Sequence, residues 1–336
     1  MAACGTVSWW EQREDSGRAP WVIAVGVAQL KGTVVEPVIV VEGLTKRYGG
    51  TAVVDGVSFE VGRGEIFGIL GRNGAGKTTT VECLEGLRRA DGGRMRVLGL
   101  DPATQAAELR RRIGSQLQES ALPQRIKVWE ALRWFASFVP GARDPDQLMT
   151  QWGLQDKRNT HFSDLSGGQR QRLFIALALV NDPELVFLDE MTTGLDPAAR
   201  HTAWDLVRAV RDAGTSVVLV THFMEEAERL CDRVAVLERG TIVALGTPGA
   251  LIAEHARQIT VRFSAEAGDL GWLAAVAGVD QVARRNGSVE VQGTGPVLAE
   301  VAAALVGHGI RPADLRADQP NLEEVFLSIT GRRSDE

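Results

Sequence analysis

The sequence predicts an α/β fold, with a parallel sheet covered on both faces and a small α+β appendix after it. Three observations predict it. Between about residues 38 and 256, short apolar runs alternate with segments of helical period. One glycine-rich loop joins such a run to a helix. After about residue 256 the pattern restarts with strands that alternate apolar and polar residues. Continuous apolar runs mark strands buried on both faces, whereas alternation marks strands with one wet face.

Composition narrows the class. The 336 residues suffice for two domains. A hydrophobic content of 44% and a charged content of 24% are those of a globular protein. The net charge of −6 argues against a bulk nucleic-acid binder. Cys4, Cys83 and Cys231 have no paired spacing. They point to neither a zinc site nor a disulfide framework, and so to a reducing cytosol. The longest apolar runs, 21–28 and 173–180, fall far short of the ~18 residues that span a bilayer. The first also lacks the basic flank of a signal peptide.

Taken in order, residues 1–37 show no sustained period and carry Trp9, Trp10 and Trp21 among glycines and charges. They are expected to be a poorly ordered extension; a short amphipathic contact is the alternative. Val38–Val41 and Val57–Val61 read as strands between glycine-rich turns. Glu65–Leu70 reads as a buried strand. Lys77–Leu87 reads as a helix with Val81, Leu84 and Leu87 on one side. Lys127–Val139 has a helical period through Val128, Ala131, Leu132, Phe135 and Val139. Leu185–Leu188 is a buried strand that ends in two acids, Asp189 and Glu190. Ala198–Ala213 follows as a helix and Ser216–Val220 as another buried strand. Val234–Leu237 and Thr241–Ala244 flank Glu238-Arg239-Gly240 as a hairpin. In the appendix, Ile259–Phe263 and Ser288–Val291 alternate, Val297–Val306 is an alanine-rich helix, and Leu322–Ile329 is a last helix capped by Gly331. The expected division is 1–37, 38–256 and 257–336.

Two motifs carry chemistry. Gly71-Arg72-Asn73-Gly74-Ala75-Gly76-Lys77-Thr78 matches G-x-x-x-x-G-K-[ST] between a strand and a helix. Its glycines let backbone N–H groups close around phosphate oxygens. Lys77 reaches the β/γ-phosphates, and the Thr78 hydroxyl suits Mg²⁺. The helix N-terminus, with Thr78 and Thr79 in its first turn, adds partial positive charge. Leu165-Ser166-Gly167-Gly168-Gln169 is a capped helix start with bare N–H groups ahead of an apolar helix. It lies between the phosphate loop and Leu185–Glu190.

That order resembles the ATP-binding subunit of ABC transporters, over about residues 38–250. The resemblance implies an ABC cassette of the P-loop NTPase class: a parallel core, an antiparallel β subdomain and a helical subdomain. It implies ATP and Mg²⁺ as cofactors. Gly71 to Thr79 would bind the phosphates, and Tyr48 would stack on adenine. Thr78, Asp189 and Gln118 would attend the metal; Gln116 is the nearby competitor of Gln118. Glu190 would be the general base, held by His222, with Lys77 and Gln118 completing the catalytic set. Ser166, Gly167, Gly168, Gln169 and Asp196 would act across to a second copy. His161, His201, His255 and His308 match nothing and are expected at the surface. Met191 stands where the family usually has proline after the glutamate, and Arg72 stands at a loop position often held by proline; neither removes a ligand.

Asn321–Leu327 and Ile113–Ser120 resemble the bacterial drug- and antibiotic-export members. The resemblance therefore implies an ATPase on the inner face of the cell membrane, cytoplasmic and peripheral. It would pair with a separate transmembrane permease and with a second ATPase copy, with no nucleic-acid partner. Two alternatives are a soluble ABC ATPase acting on ribosomes or DNA, and a nucleotide-dependent regulator. The single cassette with its short insert counts against the first, and the intact Glu190 and His222 count against the second.

Overall fold

The computed structural model describes residues 37–116, 122–255, 259–265, 270–285, 288–318 and 321–331. The expectation for residues 1–37 falls almost wholly outside them.

The chain opens with β1 (Ile39–Tyr48) and β2 (Thr51–Val61), antiparallel partners joined at Gly49-Gly50. Both glycines have positive φ, which a two-residue hairpin turn of this hand demands. β3 (Ile66–Gly71) leads through the glycine loop into α1 (Lys77–Leu84). β4 (Gly92–Val97) then pairs on the free side of β1. After α2 (Ala106–Leu109) and β5 (Ile113–Gln116) come α3 (Val128–Ala136), α4 (Pro145–Gln151) and α5 (Gly167–Ala178). The strands β6 (Leu185–Asp189) and β7 (Ser216–Thr221) are separated by α6 (Pro197–Asp212). α7 (Met224–Leu230), β8 (Arg233–Glu238), β9 (Thr241–Gly246) and α8 (Pro248–His255) complete this part.

The main sheet has the order β5-β6-β7-β3-β8-β9. It is parallel from β5 to β8, and β9 returns antiparallel as the second arm of the expected hairpin. β3, β6 and β7 are buried along their whole length. Successive side chains of a strand point to opposite faces, and the core divides accordingly. Ile66, Leu70, Val186, Leu188, Val217 and Leu219 face a layer of helices that includes α3 to α8. Phe67, Ile69, Leu185, Phe187, Val218 and Val220 face the small sheet β2-β1-β4 and α1. Each fully buried side chain of this kind contributes about 1.5–3 kcal/mol of transfer free energy.

The last part holds β10 (Ile259–Ser264), β11 (Val279–Arg285), β12 (Ser288–Gly293), α9 (Val297–Gly307) and β13 (Arg316–Asp318). These strands form an antiparallel sheet of order β11-β12-β10-β13. Val261, Phe263, Val289 and Val291 meet Val297, Val301 and Leu305 of α9 in a core of their own. The final helix, α10 (Leu322–Gly331), does not join that core. Its Leu322, Val325 and Phe326 are buried with the helical layer of the main sheet, against α7 and α8.

Two predicted helices are shorter than expected. α1 stops at Leu84, and Leu87 is 49% exposed. The Gly86 N–H donates to the Cys83 carbonyl and the Leu87 N–H to the Glu82 carbonyl. This pair of reversed bonds closes the helix end and needs a left-handed residue between them; Gly86 supplies it at φ +68°. α3 stops at Ala136, so Phe135 is partly exposed and Val139 lies beyond the helix. Trp129 of the same helix packs against the core, whereas Trp134 does not.

A Cβ at Gly86 would lie 2.8 Å from the Pro102 carbonyl oxygen. Gly86→Ala is therefore expected to lower the unfolding free energy by about 1–3 kcal/mol. Denaturant titration against the parent chain checks this, and equal stability would contradict the account of the helix end.

Candidate functional site

The site lies where β3, β7 and β6 end side by side. In the parallel register Leu70 pairs with Thr221, and both Ile69 and Asp189 pair with Val220. The residues that follow are Gly71, His222 and Glu190, so three loops start from one edge of the sheet. Ligands of open parallel sheets bind at this carboxyl edge.

The glycine loop can take only its own residues at its two ends. Gly71 has φ +155°, and a Cβ there would stand 2.5 Å from the Leu237 carbonyl oxygen. Gly76 has φ +100°, and a Cβ would stand 2.6 Å from the Val53 carbonyl oxygen. Between them, the Ala75 N–H donates to the Arg72 carbonyl. Lys77 is buried, and its ammonium donates to the carbonyls of Gly71 (2.9 Å) and Arg72 (3.2 Å). Burial lowers its pKa, and the charges of Glu190 and Asp189 act against that shift.

Asp189 is the last residue of β6 and is 5% exposed. Its Oδ2 accepts from the Thr78 hydroxyl at 3.3 Å, while its buried Oδ1 has no hydrogen-bond donor. Burial first, and the Glu190 charge second, push its carboxyl up to about 6. An orphaned carboxylate oxygen beside a hydroxyl, at the mouth of a phosphate loop, suits a hard, oxygen-seeking cation. No group of three or more His, Cys, Asp or Glu among the described residues could hold a metal alone. Such a cation would be shared with the phosphates, the usual manner of Mg²⁺.

Glu190 has φ +48°, a left-handed conformation uncommon outside glycine. Its N–H donates to the Val220 carbonyl at 2.9 Å, and its own carbonyl accepts from the Thr193 N–H at 3.2 Å. His222 Nδ1 lies 3.1 Å from Glu190 Oε1. A carboxylate only accepts, so this contact is a hydrogen bond when the proton sits on Nδ1.

The other expected residues are placed differently. Tyr48 ends β1, and the Lys46 ammonium and Arg88 guanidinium stand 5.4 and 5.5 Å from its ring centroid. Ser166 caps α5 reciprocally: its hydroxyl accepts from the Gln169 N–H, and the Gln169 side chain accepts from the Ser166 N–H. Ser166, Gly168 and Gln169 line a groove with Ala199 and Thr202 of α6, and no phosphate-loop residue lines it. Asp196 caps α6 by accepting from the Ala199 N–H at 2.9 Å, with Pro197 at the first helical position. Gln116 is buried and accepts from the Gln171 amide at 2.8 Å, which commits it to the core. Gln118 falls outside the described residues.

Two buried acids escaped the sequence reading. Glu226 of α7 is 0% exposed; its spacing with Phe223 and Leu230 was the available sign of an inward position. Glu85 closes α1 and is 1% exposed. Neither of its oxygens has a donor at hydrogen-bond distance. Burial pushes its carboxyl up to about 7; the nearby Ser115 hydroxyl opposes the shift, and the Asp189 charge adds to it.

Comparison with known proteins gives the family. The sequence profile described as ABC transporter matches residues 54–193. The daunorubicin resistance ATP-binding protein DrrA3 of Streptomyces coeruleorubidus is 39% identical over 302 residues, covering 87% of this chain and 96% of that protein. The chain belongs to the ABC transporter ATP-binding family. A Nod factor export ATP-binding protein I of Mesorhizobium japonicum is 39% identical over 310 residues, covering 88% of this chain and 87% of that protein. Among solved structures, an ATP-binding subunit of an ABC transporter superposes with a TM-score of 0.58 at 28% identity, covering 65% of this chain and 92% of its own. cbiO1 of Clostridium perfringens, part of the ABC transporter complex cbiONQ, gives 0.60 at 27%, with the same coverages. The solved cassettes thus cover about two thirds of this chain, and the curated relatives cover more of it. The nucleotide of this ABC subunit is ATP, and its reaction is ATP hydrolysis.

The sign of the Glu85 effect follows from its raised pKa. The folded chain holds the proton more tightly than the unfolded chain does, so stability is lost as pH rises from the ordinary glutamate value of about 4.3 to about 7. Glu85→Gln removes this dependence and is expected to raise stability at pH 8 by up to about 3 kcal/mol relative to pH 4.5. Denaturation of both proteins at the two pH values checks it; a constant difference between them would contradict the burial of a neutral carboxyl.

Proposed function

We propose that the chain is the motor of an exporter, driving a hydrophobic drug or antibiotic through a separate membrane permease. The observation that carries the mechanism is the division of the site. The phosphate loop, Asp189, Glu190 and His222 gather at one sheet edge, whereas the Ser166 cap opens on a different groove. One chain then holds half a reaction centre, and a second copy supplies the other half.

In this scheme Tyr48 stacks on adenine, and the N–H groups from Gly71 to Thr79 enclose the phosphates. Lys77 gives up its own loop carbonyls to meet the β/γ-phosphates. Thr78 and Asp189, with Gln118, would hold Mg²⁺, which would spread the charge developing on the phosphates. Glu190 polarises the attacking water. His222 fixes Glu190 through Nδ1 and presents its other nitrogen to the γ-phosphate. Ser166, Gly167, Gly168 and Gln169 of the opposing copy close over that phosphate at a helix start. Asp196, at the head of α6, faces the same boundary. ATP binds the closed pair more tightly than the open one, so binding closes it and hydrolysis releases it.

Residues 38–256 would form this catalytic unit. Residues 257–336 would form a C-terminal unit anchored on it by α10. Among the described residues no helix is long and apolar enough to cross a membrane, which supports a separate permease. A support for membrane-face docking is the aromatic patch on and just after α3. Trp134, Phe135 and Phe138 are exposed and meet edge to face, and exposed apolar patches mark contact surfaces. The subunit would then sit on the cytoplasmic side, peripheral to the membrane. Relatives named for daunorubicin resistance and Nod factor export support outward transport. They favour a transporter over a soluble ribosome- or DNA-associated ATPase, and the net charge of −6 agrees.

Glu190→Gln is expected to keep ATP affinity, to lower kcat by roughly 10²–10⁴, and to accumulate an ATP-dependent dimer in light scattering. Turnover at the parent rate would remove Glu190 from the base role. Separately, the tagged chain purified from membranes should carry a polytopic permease, and Trp134→Ser with Phe138→Ser should release it without changing kcat in solution. Retention of the permease by the double variant would remove the patch from the docking surface.

A further inference from the structure

Glu226 carries a role that ATP binding does not require. It lies on α7, four positions after His222, with no solvent exposure. Its Oε1 accepts from the indole Nε1–H of Trp204 at 3.1 Å, and Trp204 is itself buried on α6, the helix that Asp196 caps. Its Oε2 has no donor at full hydrogen-bond distance. The hydroxyls of Thr221 and Thr192 stand near enough to favour the charged form, as does the Arg200 guanidinium. Burial works against them and pushes the carboxyl up. Thr192 is two residues past Glu190, Thr221 immediately precedes His222, and Arg200 lies in the first turns of α6. The same guanidinium stands 4.5 Å from the ring centroid of Phe223, beside His222. One sequestered carboxylate therefore adjoins all three segments that the hydrolysis scheme needs: the base, the histidine and the boundary-facing helix.

A carboxylate without solvent is a poor choice for filling space, because an apolar side chain of similar volume packs there without desolvation cost. We propose that Glu226 is a positioning residue for hydrolysis, holding the segments of Glu190 and His222 against the head of α6. Closure of a second copy on Asp196 is then felt at the base. The inference rests on the assignment of Glu190 and His222 given above.

The test uses the full-length chain as parent, Glu226→Ala, Glu226→Gln and Trp204→Phe, with Glu190→Gln as control. The readouts are kcat, KM for ATP, ATP affinity by calorimetry, and Tm. Glu226→Ala is expected to lower kcat on the order of tenfold or more, with KM and affinity within about twofold of the parent. Glu226→Gln, which keeps an acceptor for the indole, should recover most of the rate. Trp204→Phe, which deletes the donor and keeps most of the ring, should lose rate at unchanged affinity. A parent kcat in Glu226→Ala, or a joint fall of kcat, affinity and Tm in all three variants, overturns the proposal. Should Glu226→Ala fail to fold, a parent kcat in Trp204→Phe overturns it equally. If Glu190→Gln turns over at the parent rate, the base assignment falls and this inference with it. If Glu190→Gln is inactive and Glu226→Ala is not, this inference falls alone.

Discussion

Three neighbouring parallel strands, β6, β7 and β3, end in register, and the rest of the site depends on that. Parallel pairing points all their carboxyl ends the same way, so each strand delivers one loop to a common edge. Burial of both sheet faces fixes the register: a slip of one residue would exchange the side chains facing the helical layer with those facing the small sheet. The chemistry is thus held by apolar packing on strands that carry site residues only at their ends, Gly71 on β3 and Asp189 on β6.

The edge so formed is electrostatically unfinished. Lys77 is buried between its own loop carbonyls and two acids, and Asp189 keeps an oxygen with no donor. Burial disfavours the charge on both, lowering the pKa of Lys77 and raising that of Asp189. Groups in this condition gain from a ligand that brings phosphate oxygens to the lysine and a cation to the acid. Glu190 adds a left-handed backbone at its own position, a conformation held by the strand bond to Val220 and the turn bond from Thr193.

The last quarter of the chain is arranged in two ways. Its antiparallel sheet and α9 bury their own core, yet α10 returns to α7 and α8. α7 is also the helix that carries Glu226 and follows His222. A segment remote in sequence from His222 thereby packs against the helix that follows it.

Much of this was legible in order along the chain. The glycine spacing from Gly71 to Gly76, the reciprocal cap of Ser166 and Gln169, and the apolar run ending at Asp189 each depend on residues a few positions apart, and local backbone geometry enforces them. The shortened α1 was readable in principle, since Gly86 is itself the stop signal. Other features had no local signature. The burial of Glu85, the commitment of Gln116 to Gln171, the exposure of Phe135, and the destination of α10 all depend on what packs against a residue from distant sequence. Local spacing determined the glycine loop, the helix caps and the strand-end acid pair; only tertiary packing decided which acids lose their water, because desolvation is a property of the whole surrounding shell.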